Sequence, residues 1–493
     1  MHALSSANPA TIGTVHFVGI GGIGMSGIAE IMHDLGYHIQ GSDISVNANV
    51  KRLQNMGIEI MATHAAANID NAALLVISSA IQTDNIEITT AHAKNIPIVR
   101  RAEMLAELMR LKQTLTIAGT HGKTTTTSMV AAILDEGGLD PTIISGGIIN
   151  AYGTNARLGA GDWMVVEADE SDGTFTHLPS SMGVVTNIDA EHLDHYSGFD
   201  GLKSAFYSYV TNIPFYGVAI MCVDHPQVRA LMARVRNRRI ISYGLSQEAH
   251  VRAVNVKTSF VEHKTKDKQP NKQITHFDVQ FTQDHKHTEF ILQNCQLPMP
   301  GQHNLQNALA AIAVGLELGV AKEAIIQALA HFKGVKRRFT HTGHFQGIDI
   351  YDDYAHHPVE IAATLASARQ IAKGRVIAIM QPHRYSRLRD LFDEFSTCFK
   401  QADCIIIAPV FAAGEKPIDG FNATSLATNI GKQTASRVIE LSDPATLPDL
   451  IIEEAQADDV VICLGAGTIS QWAQDLPRKL KATTSPAQKR GAV

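Results

Sequence analysis

Leu115-Thr-Ile-Ala-Gly-Thr-His-Gly-Lys-Thr-Thr-Thr-Thr127 decides how the rest of the chain is read. Leu115 to Ala118 form a short apolar run suited to a buried strand, and Ser128 to Leu134 continue with helical periodicity. Between them a glycine turn, Gly119-Thr-His-Gly-Lys-Thr-Thr125, delivers a lysine and hydroxyls to a helix N-terminus. Unpaired N–H groups and the helix dipole favour an anion there. Lys123 is then placed for the outer phosphates of a nucleotide and the Thr124 hydroxyl for Mg²⁺. Ile117 stands where a full-length phosphate loop has its first glycine, and Gly119 is the first one present, so this is a shortened loop. The flanking strand and helix favour a nucleoside triphosphate site, with Gly119, Thr120, His121, Gly122, Lys123, Thr124 and Thr125 as its cradle, over a plain βα packing turn.

Upstream, a strand at Thr14 to Ile20 runs into Gly19-Ile-Gly-Gly-Ile-Gly24, a helix follows from Ser26 to Asp34, and Asp43 closes the next strand. Gly19, Gly21 and Gly24 satisfy the dinucleotide fingerprint, with Gly22 inside it and Asp43 set for a ribose hydroxyl. Alone this indicates NAD, but any nucleotide diphosphate suits a pyrophosphate on a helix N-terminus. Ser78-Ser79 end a later strand at the carboxyl edge, where open α/β sheets bind ligands.

Downstream, Asp162-Trp-Met-Val-Val-Glu-Ala-Asp-Glu-Ser-Asp172 is a strand running into a dense carboxylate group. Such a group repels itself unless cations attend, so it is expected to hold or orient Mg²⁺. Gly183 to His192 is a further strand ending in polar residues, which brings His192 towards the same cleft. Antiparallel strands follow to Leu292, then a helix from Ala308 to Leu318 with Asn304 as its cap. Gly334-Val-Lys-Arg-Arg-Phe339 reads as a basic hinge, with Arg338 a candidate phosphate clamp. Beyond it the strand–helix alternation resumes, with Asp352-Asp-Tyr-Ala-His-His-Pro358 and Gln381-Pro-His-Arg-Tyr-Ser-Arg387 at strand ends and a helix expected over Leu388 to Phe399. Arg384 and Arg387 make a fork for a carboxylate or a solvated helix start. His356 and His357, read as neighbours on a strand, point to opposite faces and do not ligate one ion together.

With 493 residues and about 150 residues per domain, three domains are expected. The class is α/β: a Rossmann-like domain over 1–112, a central phosphate-loop domain with a mixed sheet over 113–335, a Rossmann-like domain over 336–478, and a disordered tail over 479–493. A net charge of −6 argues against a nucleic-acid binder. Five scattered cysteines fit reduced thiols, the N-terminus lacks the marks of a leader, and no apolar run approaches bilayer length. A cytoplasmic enzyme without membrane insertion is expected.

Gly119 to Thr125, Glu167-Ala-Asp-Glu-Ser-Asp172, His303-Asn304 with Asn307, Arg337-Arg-Phe339 and Asp352 to Pro358 together resemble the Mur amino-acid ligases of peptidoglycan synthesis. The resemblance covers nearly the whole chain, from Val15 to Leu476. Gly19 to Met25 and Gln381 to Arg387 are similar to the branch that adds L-alanine to UDP-N-acetylmuramate. The branch that recycles murein tripeptide shares the Asp-Asp and His-His-Pro elements but usually lacks His-Arg-Tyr-Ser-Arg. Ala355 stands where the family often has glycine.

The resemblance implies that Gly19, Gly21, Gly22, Gly24, Asp43, Ser78 and Ser79 hold the UDP-sugar. It implies that Lys123 contacts the γ-phosphate of ATP, that Thr124 and Glu167 hold one Mg²⁺, and that His192 holds a second, with Mn²⁺ able to substitute. Asn304 and Asn307 would lie near adenine, Arg338 near the phosphates and Asp353 on the ribose. Tyr354, His356, His383, Arg384 and Arg387 would form the L-alanine side, with Lys123, His192, Arg338 and His356 as the catalytic set. The third domain would close on the nucleotide, in a monomer or homodimer. The implied chemistry passes through an acyl phosphate to an amide, ADP and phosphate. Two rivals are a phosphate-loop kinase and an NAD-binding sensor; the sensor leaves Glu167 to Asp172 unexplained.

Overall fold

The computed structural model describes residues 12–78, 80–193, 195–261, 272–282 and 288–483. They divide into two compact units. The first comprises described residues up to 256, with 277–296 and 306–333; the second comprises 257–276, 297–305 and the chain from 334 onward.

The first unit opens with β1 (Thr14–Val18), α1 (Ile23–Asp34), β2 (Ile39–Ser42), α2 (Ala48–Asn55), β3 (Glu59–Met61), β4 (Ala72–Ile77), α3 (Ile86–Lys94), β5 (Ile98–Arg100) and α4 (Arg101–Met109). Its strands pair in parallel in the order β3-β2-β1-β4-β5. Val15, Phe17 and Val18 are wholly buried although they point to alternate faces, the mark of a sheet covered on both sides. Glu87 is buried in this domain, where the Ser42 hydroxyl (2.7 Å), His64 Nδ1 (2.9 Å) and the Asn68 amide (2.6 Å) surround its carboxylate. Burial opposes its charge, but His16 and the Ser42 and Asn68 hydrogen bonds outweigh it and hold the carboxyl down at about 2.

The chain continues through β6 (Gln113–Ala118), α5 (Lys123–Glu136), β7 (Thr142–Ile149), β8 (Thr154–Arg157), β9 (Trp163–Glu167), β10 (Met182–Val185), α6 (Phe199–Asn212), β11 (Val218–Cys222), α7 (Pro226–Arg234) and β12 (Arg239–Gly244). Next come β13 (Val251–Val261), β14 (Lys272–Phe281), β15 (Phe290–Leu297), α8 (Gln302–Glu317) and α9 (Lys322–Ala330). Among the described residues β6 to β15 form one mixed sheet, ordered β15-β14-β13-β12-β11-β10-β6-β9-β7-β8. β6 lies between β10 and β9, parallel to both, so its carboxyl end meets the ends of the two strands that carry the acidic and histidine segments.

The second unit contains β16 (Thr340–Phe345), β17 (Ile348–Asp353), α10 (Pro358–Ile371), β18 (Val376–Met380), α11 (Tyr385–Asp390), α12 (Phe392–Thr397), β19 (Cys404–Ile407), α13 (Ala423–Gln433), β20 (Arg437–Glu440), α14 (Leu447–Glu454), β21 (Val460–Leu464) and α15 (Ile469–Thr483). The sheet order is β16-β17-β21-β18-β19-β20, parallel except for β16 against β17. Each residue of β18 is wholly buried, and full burial of such a side chain contributes about 1.5–3 kcal/mol.

Three expectations are corrected. The helix expected from Ala308 begins at Gln302, so Asn304 lies in its first turn rather than at the cap. The helix expected over Leu388 to Phe399 is two short ones, interrupted at Leu391. Residues 479–483, assigned to the tail, extend α15, where Leu480 is wholly buried; residues 484–493 lie outside the described residues. No helix among the described residues is long and apolar enough to cross a membrane.

Candidate active site

The strand–turn–helix at residues 113–136 leaves the anion site uncapped. Gly122 is the N-cap of α5 in the left-handed region (φ 83°) and has no side chain to satisfy the first-turn amides. Four consecutive threonines, Thr124 to Thr127, are poor helix formers, yet all are buried, so tertiary packing fixes this turn. Gly119 has φ 133°, and a β-carbon there would lie 2.0 Å from Thr186 Oγ1, whose hydroxyl donates to the His121 carbonyl at 2.7 Å. Gly119→Ala is therefore expected to destabilise by about 2–3 kcal/mol and to abolish nucleotide binding. Denaturant unfolding and ADP titration check this; an unchanged midpoint with intact binding would show that the loop relaxes freely.

Lys123 Nζ donates to both Glu170 oxygens (2.7 and 3.0 Å), to the Gly119 carbonyl (2.7 Å) and to the Thr120 carbonyl (3.1 Å). Burial opposes its charge, but Glu170, Asp169 and Glu167 outweigh that and keep the ammonium protonated above its ordinary range. Burial pushes Glu170 up to about 7 despite Lys123, with Asp169 adding repulsion. The Thr124 hydroxyl donates to Glu167 Oε1 at 2.9 Å, and the other Glu167 oxygen accepts Gly146 N–H at 2.6 Å. Glu170, Glu191 and His192 place ligand atoms within 4.8 Å of one another. Thr124 thus stands with Glu167, whereas His192 (φ 56°) groups with Glu170 and Glu191. Hydroxyl and carboxylate oxygens with one imidazole fit a hard divalent cation such as Mg²⁺ or Mn²⁺.

The loop's other supports were not singled out from sequence. His121 N–H donates to Asn187 Oδ1 at 2.7 Å, and Asp189 lies 3.4 Å from the His121 ring and 3.3 Å from that of His225. Asn307, expected near adenine, abuts the phosphate loop: its Oδ1 lies 2.6 Å from where a Gly122 β-carbon would be. Asn304 donates its amide to the Pro300 carbonyl at 2.7 Å and so ties its own turn.

At the first glycine loop, the two Asp43 oxygens accept Gly21 N–H and Ser45 N–H, both at 2.8 Å, so this side chain braces the loop. Asn47 and Asn49 donate to the Gly21 carbonyl at 3.1 and 3.0 Å. Gly19 has φ 78°, Gly22 caps α1 without a side-chain bond, and Gly24 packs against Arg101. Ser78 Oγ accepts Ala80 N–H at 3.3 Å; Ser79 lies outside the described residues.

In the second unit Asp353, expected on a ribose, is buried and accepts Phe339 N–H (2.7 Å), Ala355 N–H (2.8 Å) and the Thr364 hydroxyl (3.3 Å). It organises the turn that presents Arg337 and Arg338, whose guanidinium carbons sit 4.6 and 5.1 Å from the centre of the Tyr354 ring. Arg338 also faces Glu360 at 3.9 Å, and Glu360 accepts His356 N–H at 3.1 Å. The two histidines do separate, but in the loop beyond β17 rather than on a strand: His357 caps α10 through Val359 N–H, while the His356 ring stands 5.0 Å from Tyr354 and 5.9 Å from His383. His383 stacks on Phe411, and Glu415 fixes the start of α11 through Ser386 N–H (2.9 Å) and its hydroxyl (2.6 Å).

Burial, with His356, Arg387 and Arg384 nearby, depresses His383 to about 3. A folded value below the unfolded one, about 6.5, means that the unfolded chain binds more protons, so stability falls as pH drops below 6.5. Burial raises Asp353 to about 6, which acts in the opposite sense between about pH 4 and 6, so the histidine is best isolated by substitution. His383→Gln is expected to lose about 1 kcal/mol less stability than the parent between pH 6.5 and 5, allowing for its partial exposure. Denaturant unfolding at the two pH values checks this, and equal losses would rule out a buried neutral imidazole.

Family comparisons agree across the chain. Family models match "Mur ligase family, catalytic domain" at residues 14–113, "Mur ligase middle domain" at 117–315, and "Mur ligase, glutamate ligase domain" at 337–467. A protein of Azorhizobium caulinodans named UDP-N-acetylmuramate–L-alanine ligase is 56% identical over 96% of this chain and 99% of its own length. One of the same name from Xanthobacter autotrophicus is 55% identical over 96% and 98%. Among solved structures, the UDP-N-acetylmuramate–alanine ligase of Thermotoga maritima superposes with a TM-score of 0.78 at 26% identity, covering 96% of this chain and 100% of that one. A murein peptide ligase of Psychrobacter arcticus shares the fold, with a TM-score of 0.68 at 24% identity over 95% and 98%. With a phosphate loop and a carboxylate–histidine group in the region that matches the middle-domain model, an arginine–histidine cluster in the region that matches the third, and family models matched along most of its length, the chain belongs to the Mur ligase family.

Proposed function

We propose that this chain is an ATP-dependent ligase that joins L-alanine to the lactyl carboxylate of UDP-N-acetylmuramate during peptidoglycan precursor synthesis. The observation that carries the reading is the uncapped α5 N-terminus, with Lys123 and the Thr124–Glu167 pair on it, in a chain whose relatives at 55–56% identity bear that name. The carboxylate oxygen attacks the γ-phosphorus of ATP and ADP leaves, giving an acyl phosphate. The alanine amine then attacks the acyl carbon, loses its proton, and phosphate departs as the amide forms.

In this reading the α5 amides and Lys123 take the phosphates, and a protonated Lys123 offsets charge moving onto the leaving oxygen. Thr124, Glu167 and the Glu170–Glu191–His192 group would hold Mg²⁺, which when bound screens the repulsion between carboxylate and phosphate. The glycine loop of Gly19, Gly21, Gly22 and Gly24, with Ser78, receives the UDP-sugar; Tyr354, His356, His383, Arg384 and Arg387 orient the amino acid through its carboxylate. Arg338 serves the nucleotide phosphates. The cytoplasm, which supplies ATP and UDP-sugars, is the place for this reaction.

Phosphate release with ATP, Mg²⁺ and UDP-N-acetylmuramate should be strongest with L-alanine among L-alanine, glycine, L-serine and murein tripeptide. Release with the tripeptide alone would move the protein to the recycling branch. Release with none would end the ligase reading.

A further inference from the structure

Apart from the residues given roles above, a cleft of about 570 Å³ opens between α4 and the turn that follows the acidic segment. Arg100, Glu103, Glu107 and Arg110 line one wall, with Ala102 and Ala106; Asp172 to Thr174, His177, Leu178 and His195 line the other. All belong to the first unit. The acidic groups in the walls are already engaged. Glu103 accepts Arg100 N–H at 2.8 Å, Glu107 faces Arg110 at 3.5 Å, and Asp172 accepts Thr174 N–H at 3.1 Å while facing Arg101 at 3.6 Å. By contrast, the Arg100 guanidinium and the His177 and His195 imidazoles make no ion pair or side-chain hydrogen bond among the described residues. Unspent donors on both walls, over a floor that includes buried Ala102 and Leu178, suit a compact anion with a small apolar body.

We propose that this cleft is a second small-molecule site, taking a carboxylate or phosphate anion. Its position couples it to the reaction. Gly173 turns the chain at φ 70°, and the His195 ring lies where a side chain at 173 would stand, 2.7 Å from its β-carbon. Tyr196 donates its hydroxyl to the Glu170 carbonyl, so an anion drawn to His195 pulls on the segment that holds Glu170. Occupancy therefore alters turnover without entering the phosphate loop.

The test titrates the full chain by calorimetry with malonate and, separately, with inorganic phosphate, in each case with and without saturating ADP. The parent is compared with Arg100→Ala/His177→Ala. The expected result is saturable binding that persists with ADP present and weakens at least tenfold in the double variant. The variant's anion-free turnover should stay within about twofold of the parent. Malonate binding alone points to a carboxylate metabolite, and phosphate binding alone to a phosphate ligand. Absence of ADP-insensitive binding, or equal binding by the variant, overturns the site; unchanged turnover at saturating anion overturns the coupling.

Discussion

Lys123→Ala is expected to lower phosphate release by about a thousandfold or more while the protein stays folded. The ammonium is the protonated donor of the phosphate loop, held there by three carboxylates against the cost of burial. Its removal would ordinarily strand Glu170, but burial already raises that carboxyl to about 7, so it takes up a proton near neutrality instead of disrupting the loop. Lys123→Arg should not rescue, since a planar fork cannot occupy the place of a compact ammonium bonded to Gly119, Thr120 and Glu170 at once. Steady-state phosphate release, with circular dichroism and thermal melts as controls, checks this. More than a tenth of parental turnover in the alanine variant would remove Lys123 from the chemistry.

Glu167→Gln should lower kcat about a hundredfold and move the Mg²⁺ dependence to higher concentration. The substitution keeps an amide oxygen for the Thr124 hydroxyl or for Gly146 N–H, so local structure survives and the lost charge is what is measured. The informative readout is therefore a Mg²⁺ titration at fixed ATP rather than turnover alone. A lower kcat with an unshifted Mg²⁺ curve would make Glu167 a brace for Thr124 rather than a cation ligand.

The phosphate loop was legible because its parts are consecutive: a strand, two glycines, a lysine and a hydroxyl helix start need no tertiary information. The parallel strands of the outer domains were legible for a similar reason, as apolar runs covered on both faces. What sequence could not supply was the partner of each acid. Asp43 was placed at a ribose hydroxyl from its position and Asp353 from the family resemblance; both also accept nearby backbone N–H groups, partners that spacing does not reveal. His192 was assigned to a second ion, apart from Thr124 and Glu167; the structure groups it with Glu170 and Glu191, partners that spacing along the chain does not reveal. The β7–β8 hairpin was missed because Gly146-Gly147 and Tyr152-Gly153 interrupt its alternation. The helices α6 and α13 were missed because their apolar stripes are narrow, with Leu202, Phe206, Tyr209 and Val210 buried in the first and only Leu426 and Ile430 in the second.

Arg337, Phe339 and Arg384 all hold φ between 48° and 70°, a region that disfavours side chains. Each such residue costs on the order of 1–3 kcal/mol, which glycine would largely return. Selection for heat resistance alone would therefore draw glycine into these three positions and strip guanidinium groups from the arginine–histidine cluster. The hardiest descendants of this chain would then be poor at holding an amino acid, so a screen for robustness has to score catalysis in the same round.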